Sequence, residues 1–132
     1  MIEYKKSKIF QVDQIRELFV SVGWDSGKYP EKIVRGLKNS SVVVSAWDGE
    51  RLVGLIRGLD DGETVGFIHY LLVNPEYQGQ HIGEGLMCHL MEAYKDLLYV
   101  KIMPSDISTN SFYRKFGFEV YDNYTAMEIK RL

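Results

Sequence analysis

The stretch "PEYQGQHIGEGL", residues 75–86, carries glycines at 79, 83 and 85 at the opening of a segment otherwise patterned as an apolar helix. Each of them weakens the helix it helps to start. A chemistry exists that would repay this. The first turn of a helix has four backbone N–H groups without intrahelical partners and the positive end of the helix dipole, so the loop feeding it can hold an anion. Glycine lets a phosphate come close to those amides and accepts the backbone angles that turn several of them inward. Spacing excludes two phosphate-binding patterns: no G-K-[ST] is present for a nucleotide P-loop, and G-x-x-x-G-x-G is not the dinucleotide fingerprint. Taken alone, the glycines are equally consistent with a plain strand-to-helix turn.

The remaining reactive side chains narrow the field. His69, His81 and His89 share no ligand spacing with Cys88 or with a carboxylate set that resembles a zinc site, so no metal is expected. Cys88 is the single cysteine and can form no internal disulfide; within a helix pattern a buried, inert thiol is expected. In "GWDSGKYPEK", Trp24, Asp25 and Tyr29 would suit a small cation through an aromatic wall and a carboxylate, and would equally make an ordinary capped loop. A net charge of -2 offers no overall basic field for nucleic acid. No stretch reaches the apolar length of a bilayer span and "MIEYKKSKIF" lacks the apolar run of a signal peptide, so the expectation is a cytoplasmic protein with no membrane partner.

The elements that must position these residues follow from hydrophobic period. At 132 residues the chain reads as one domain, 1–132. "IEYKK" alternates like a strand, and "VDQIRELFVSV" sets Val12, Ile15, Leu18, Phe19 and Val22 on one helix face. Pro30 suits a first helical position before "EKIVRGLKN". "SVVVSAW" and "RLVGLIRGL" form a hairpin about Asp48-Gly49, followed by "TVGFIHYLLV", apolar on both faces as a central strand is. From Gly83 the period becomes helical, with Ile82, Leu86, Leu90, Ala93 and Leu97 on one stripe. "LLYVKIM" is a further strand, Pro104 ends it, and a short capped helix precedes Gly117. "FEVYDNYTAMEIKRL" reads as two last strands about Asp122-Asn123. The fold class is therefore α+β, a mixed central sheet of six to seven strands with helices on both faces. The final strands would also leave an edge compatible with a homodimer.

Two linked segments carry a family resemblance. "LLVNPEYQGQHIGEGLM" resembles the motif of the GCN5-related N-acetyltransferase (GNAT) superfamily, a strand ending V-x-P-x-[YF] before [RQ]-x-x-G-x-[GA] and a helix; Gln78, Gly79, Gln80, His81, Ile82 and Gly83 align with the hexamer. "SDISTNSFYRKFGF" is similar to the second signature, through Phe112, Tyr113, Lys115, Gly117 and Phe118. The element order matches as well, so the resemblance covers the whole chain. It departs at His81, where glycine is usual, and at Asp106, where asparagine is usual. Histidine is among the side chains found more often at positive φ, so the loop can survive. A carboxylate at 106 accepts but cannot donate, which weakens that contact.

The resemblance implies acetyl-CoA as co-substrate, with its pyrophosphate on the amides of residues 79–84, Glu84 included, and its pantetheine arm along the backbone of Leu71, Leu72 and Val73 between splayed strands. Asp106 and Asn110 would lie beside the arm. An extended amide-bearing arm can pair with a strand edge whatever the side chains. Transfer to an amine needs a deprotonated nucleophile, a stabilised oxyanion and a proton for the departing thiolate. The resemblance gives that proton to Tyr113, whose phenol, with a pKa of about 10, is matched closely enough to a thiol of about 8.5. His69 is the candidate base, placed by strand alternation on one side with Phe67, Leu71 and Val73. The expected acceptor is a primary amine of a small molecule or peptide. A domain of this fold that senses acetyl-CoA without turnover is the alternative, and a third is an α+β domain that binds no CoA.

Overall fold

The computed structural model describes residues 1–132. Strand β1 (Ile2–Lys5) leads into helices α1 (Val12–Ser21) and α2 (Pro30–Lys38), joined through a short 3-10 turn at Asp25–Lys28. Strands β2 (Val42–Asp48), β3 (Arg51–Asp60) and β4 (Val65–Val73) follow, then α3 (Ile82–Ala93), β5 (Tyr99–Ile102) and α4 (Asn110–Arg114). The strands lie in chain order in one sheet, antiparallel from β1 to β4, with β5 parallel to β4. That parallel step needs the crossover that α3 supplies.

Alternation along the strands divides the interior in two. Ile15, Leu18 and Phe19 of α1 and Ile33 and Leu37 of α2 pack with Val43, Leu52, Leu55 and Leu72 on one face of the sheet. On the other face Leu86, Met87 and Leu90 of α3 meet Val44, Val53, Ile56 and Ile68. Helices thus cover both faces, as the doubly apolar β3 and β4 require. Pro30 does open α2, and Gly49 takes φ +59° in the β2–β3 turn.

The sheet has five strands, not six or seven. The turn at Asp122-Asn123 forms, with the Tyr124 amide donating to the Tyr121 carbonyl at 3.2 Å, but the segments flanking it pair with nothing. Val120, Tyr121, Tyr124, Met127 and Ile129 are all exposed there. A two-stranded hairpin without an apolar face to bury is marginal in water, and this one gains no third strand from the four-residue β5. Cys88 departs from expectation too: it lies exposed on the outer side of α3. No helix is long and apolar enough to cross a membrane.

Candidate functional site

Beyond β4 the chain is turned by Asn74, whose buried side chain accepts from the Glu76 amide at 2.9 Å, and by two residues in the left-handed region, Gly79 at φ +81° and His81 at φ +60°. His81 thus takes the strained position that its residue type tolerates better than most. The first backbone bond of α3 runs from the Gly85 amide to the His81 carbonyl at 3.1 Å, and the amides of residues 79–84 have no hydrogen-bond partner in the protein. They border a cavity of about 240 Å³ lined by Val73, Gln78, Gly83, Phe112 and Lys115 among others.

The three glycines of this loop have three different reasons. Gly79 answers to its backbone angle. A Cβ at Gly85 would collide with the Tyr4 hydroxyl, so that glycine serves helix-to-strand packing. At Gly83 a Cβ would meet only Phe112, at an ordinary 3.7 Å. The fold does not need that glycine.

Glu84 brings a carboxylate into the first turn of α3. Lys115 Nζ at 3.1 Å and His81 Nδ1 at 3.0 Å bind its two oxygens, Lys115 foremost, and hold it below the usual carboxylate range. Gln78 donates from Nε2 to the Val73 carbonyl at 3.4 Å. Gln80 is exposed and Ile82 is buried beneath the loop.

Upstream of the loop, β5 pairs only with Val65–Ile68 of β4 and ends at Ile102. The β4 backbone at Leu71, Leu72 and Val73 therefore has no strand partner on that side. Asp106 caps the 3-10 turn Ile107–Thr109, accepting from the Ser108 amide at 2.9 Å, a bond that holds its carboxyl low. Asn110 opens α4, which carries Tyr113 half-buried between the rings of Phe112 and Phe118, with centroids at 5.1 and 6.1 Å. Burial pushes the Tyr113 phenol up, so it stays protonated at neutral pH.

His69 sits at an irregularity that strand alternation missed. Arg57 of β3 pairs with Tyr70 and the next residue, Gly58, with Ile68, so His69 is the extra residue of a β-bulge. The slip places Leu71 and Val73 on the α3 face and Tyr70 and Leu72 on the opposite one. His69 stacks on Tyr70, centroids 4.2 Å apart, and does not share a side with Leu71 and Val73. Its Nδ1 accepts from Arg57 Nη2 at 2.5 Å; the direction is fixed because a guanidinium has no acceptor. His69 reaches solvent, yet partial desolvation against its neighbours, then the charge of Arg57, lowers its pKa, so the imidazole is neutral near pH 7 with its hydrogen on Nε2.

Arg57 is a candidate site residue that the sequence pattern did not single out. Only 9% exposed, it donates from Nη1 to Ser40 Oγ at 3.0 Å and lies over the Tyr70 ring at 4.7 Å, while its Nε has no partner. An arginine inside "RLVGLIRGL", apolar on both faces, was the available signal. It borders a second cavity, about 250 Å³, with Tyr29, Lys32, Tyr70 and Arg131. Of the residues expected around an acceptor, Tyr29 lines this cavity, Trp24 stands behind it against Tyr70 at 6.0 Å, and Asp25 turns away to Lys28 at 3.8 Å. No group of histidine, cysteine and carboxylate side chains is gathered as metal ligands.

The sequence profile of the Acetyltransferase (GNAT) family matches residues 9–118. The GNAT family protein SP0256 from Streptococcus pneumoniae is 34% identical, with a TM-score of 0.84 and each chain covered in full. SA2161 from Staphylococcus aureus, described as a probable acetyltransferase, is 31% identical with a TM-score of 0.89 over 99% of this chain and 100% of that one. An uncharacterized N-acetyltransferase designated ycf52 from Porphyra purpurea is 30% identical over 118 residues, 85% of this chain and 67% of the relative. The chain spans about two thirds of the length of such curated relatives. With the profile matched over most of its length and the fold shared end to end with these structures, the chain belongs to the acetyltransferase (GNAT) family.

Proposed function

We propose that this chain transfers the acetyl group of acetyl-CoA to a primary amine by direct attack on the thioester. The observation that carries the reading is the run of unpaired amides at residues 79–84 facing a cavity across a glycine the fold does not require. The pyrophosphate of CoA lies on those amides and the helix dipole offsets its charge; Lys115 joins only by leaving Glu84. The pantetheine arm pairs with the open β4 edge at Leu71–Val73, and Asp106 and Asn110 border it.

In the reaction the neutral amine nitrogen attacks the carbonyl carbon and the C=O pair moves to oxygen. The oxyanion then collapses, the C–S bond breaks, and Tyr113 gives its proton to the thiolate of CoA. The ammonium proton leaves toward His69 or water. In its resting arrangement His69 Nδ1 is engaged by Arg57, so it takes that proton only when Arg57 gives way.

Calorimetry with CoA and a thiol-release assay over an amine panel test this together. We expect CoA binding in the native protein, thiol release with at least one amine, and a kcat lower by about a hundredfold or more in Tyr113→Phe with acetyl-CoA affinity kept. No heat with CoA would overturn the reading altogether. Binding without release would convert it to that of an acetyl-CoA-sensing module.

A further inference from the structure

The cavity beneath α2 has the wrong charge for a cation. Its lining includes Lys32, Arg57 and Arg131 and no carboxylate side chain; the one carboxylate that acts nearby, Glu128, bears on His69 from outside the lining. Arg57 is the telling member. A guanidinium nine-tenths withdrawn from water requires compensation, yet its neighbours are a serine hydroxyl, a neutral imidazole and an aromatic face, none of them anionic. Burial accordingly lowers its pKa.

The unmet hydrogen is on Nε, and Nε shares an edge of the guanidinium with Nη2, the nitrogen now resting on His69. That edge is the one a carboxylate or phosphate grips through two parallel bonds. An anion seated there satisfies Nε, supplies the missing charge, and competes with the imidazole for Nη2.

We propose that this cavity is an anion subsite for the acceptor, whose carboxylate or phosphate docks on the Nε–Nη2 edge of Arg57 and thereby uncovers His69 Nδ1. The inference rests on the transferase reading and gives it a substrate class: small amines that carry an anionic group. Lys32 attracts the anion from the exposed side of the cavity, and a volume of about 250 Å³ suits a compact molecule. Two consequences follow for the chemistry. The cationic lining favours the uncharged form of the acceptor nitrogen, which is the nucleophile. As that nitrogen bonds to the acetyl carbon, its surplus proton passes to the freed Nδ1 while the C–S bond breaks and Tyr113 protonates the sulfur.

The test uses matched amines: amino carboxylates of two to six carbons and aminoalkyl phosphates, each against the corresponding amino alcohol. Turnover with acetyl-CoA gives kcat/KM, and calorimetry on the CoA-saturated protein gives affinity. At the best chain length the anionic member should lead by about tenfold to a hundredfold. Comparing the carboxylate and phosphate series tells which anion fits. Arg57→Met should bring the ratio close to one, and Arg57→Lys, lacking the two-point edge, should recover only part of it. If Arg57→Met does not fold, Lys32→Gln on the exposed rim should still cut the ratio severalfold. Equal use of neutral and anionic amines, or a ratio unmoved by these variants, overturns the subsite while leaving acetyl transfer intact. Selective binding without any thiol release does the reverse, upholding the subsite and overturning the reaction.

Discussion

Arg57 and His69 fix one another's state. The guanidinium can only donate, so the imidazole must accept and be neutral, and the nearby positive charge keeps it so. The charged groups acting on His69 are Arg57 from β3 and Glu128 from the C-terminal segment; burial acts first and lowers its pKa, Arg57 lowers it further, and Glu128 pulls the other way. If His69 is the base, kcat/KM falls as pH drops through a value below the ordinary 6.5 or so of histidine. Arg57→Met should move that acid limb upward toward 6.5 without fully restoring it, because burial remains, and His69→Gln should abolish it. A pH–rate profile identical in all three proteins would remove His69 from the reaction. At this scale the sequence was legible wherever local conformation decides. The left-handed turn at His81 was readable because the resembling motif usually has glycine there and histidine tolerates positive φ. The Arg57–His69 pair was hidden, because it joins residues on two strands across a slip in register that no periodicity signals.

The loop between β4 and α3 allows folding and binding to be separated by single methyl groups. Gly83→Ala places its Cβ against Phe112 at normal distance and replaces a poor helix former, so it should raise stability by up to about 1 kcal/mol. The same methyl stands where the phosphates would approach, and CoA affinity should fall by about tenfold or more, an effect of about 1.4 kcal/mol. Gly85→Ala should do the opposite, costing about 1–3 kcal/mol through the clash with Tyr4 while leaving the cavity open. Thermal denaturation and CoA calorimetry on both variants check the crossing. Affinity unchanged in Gly83→Ala would reduce the loop to a simple turn. Helices and central strands were readable here because each buries a periodic stripe, as Leu86, Met87 and Leu90 do on α3. The two last strands were not, since alternation in "FEVYDNYTAMEIKRL" describes a sheet face that nothing in the protein covers.

One sheet separates two interiors. Leu18 belongs to the interior under α1 and Leu90 to that under α3, and each is fully buried. Leu18→Ala and Leu90→Ala should each cost about 2–5 kcal/mol. Trp47 lies in the first interior and Trp24 packs against Phe19 and Tyr70 on the same side, so tryptophan fluorescence should follow the far-UV circular dichroism in both variants if unfolding is all-or-none. Separate midpoints in Leu90→Ala would mean that the α3 layer comes away by itself.

The slip in β4 has a last implication. Ile68 faces α3 and Tyr70 faces α1 and α2, which is the order an uninterrupted strand would show if residue 69 were simply left out. His69 is therefore surplus to the architecture: both interiors would keep their occupants in a chain one residue shorter. A residue that the scaffold does not use, exposed beside an arginine that lines a cavity, is one whose place binding rather than folding would explain.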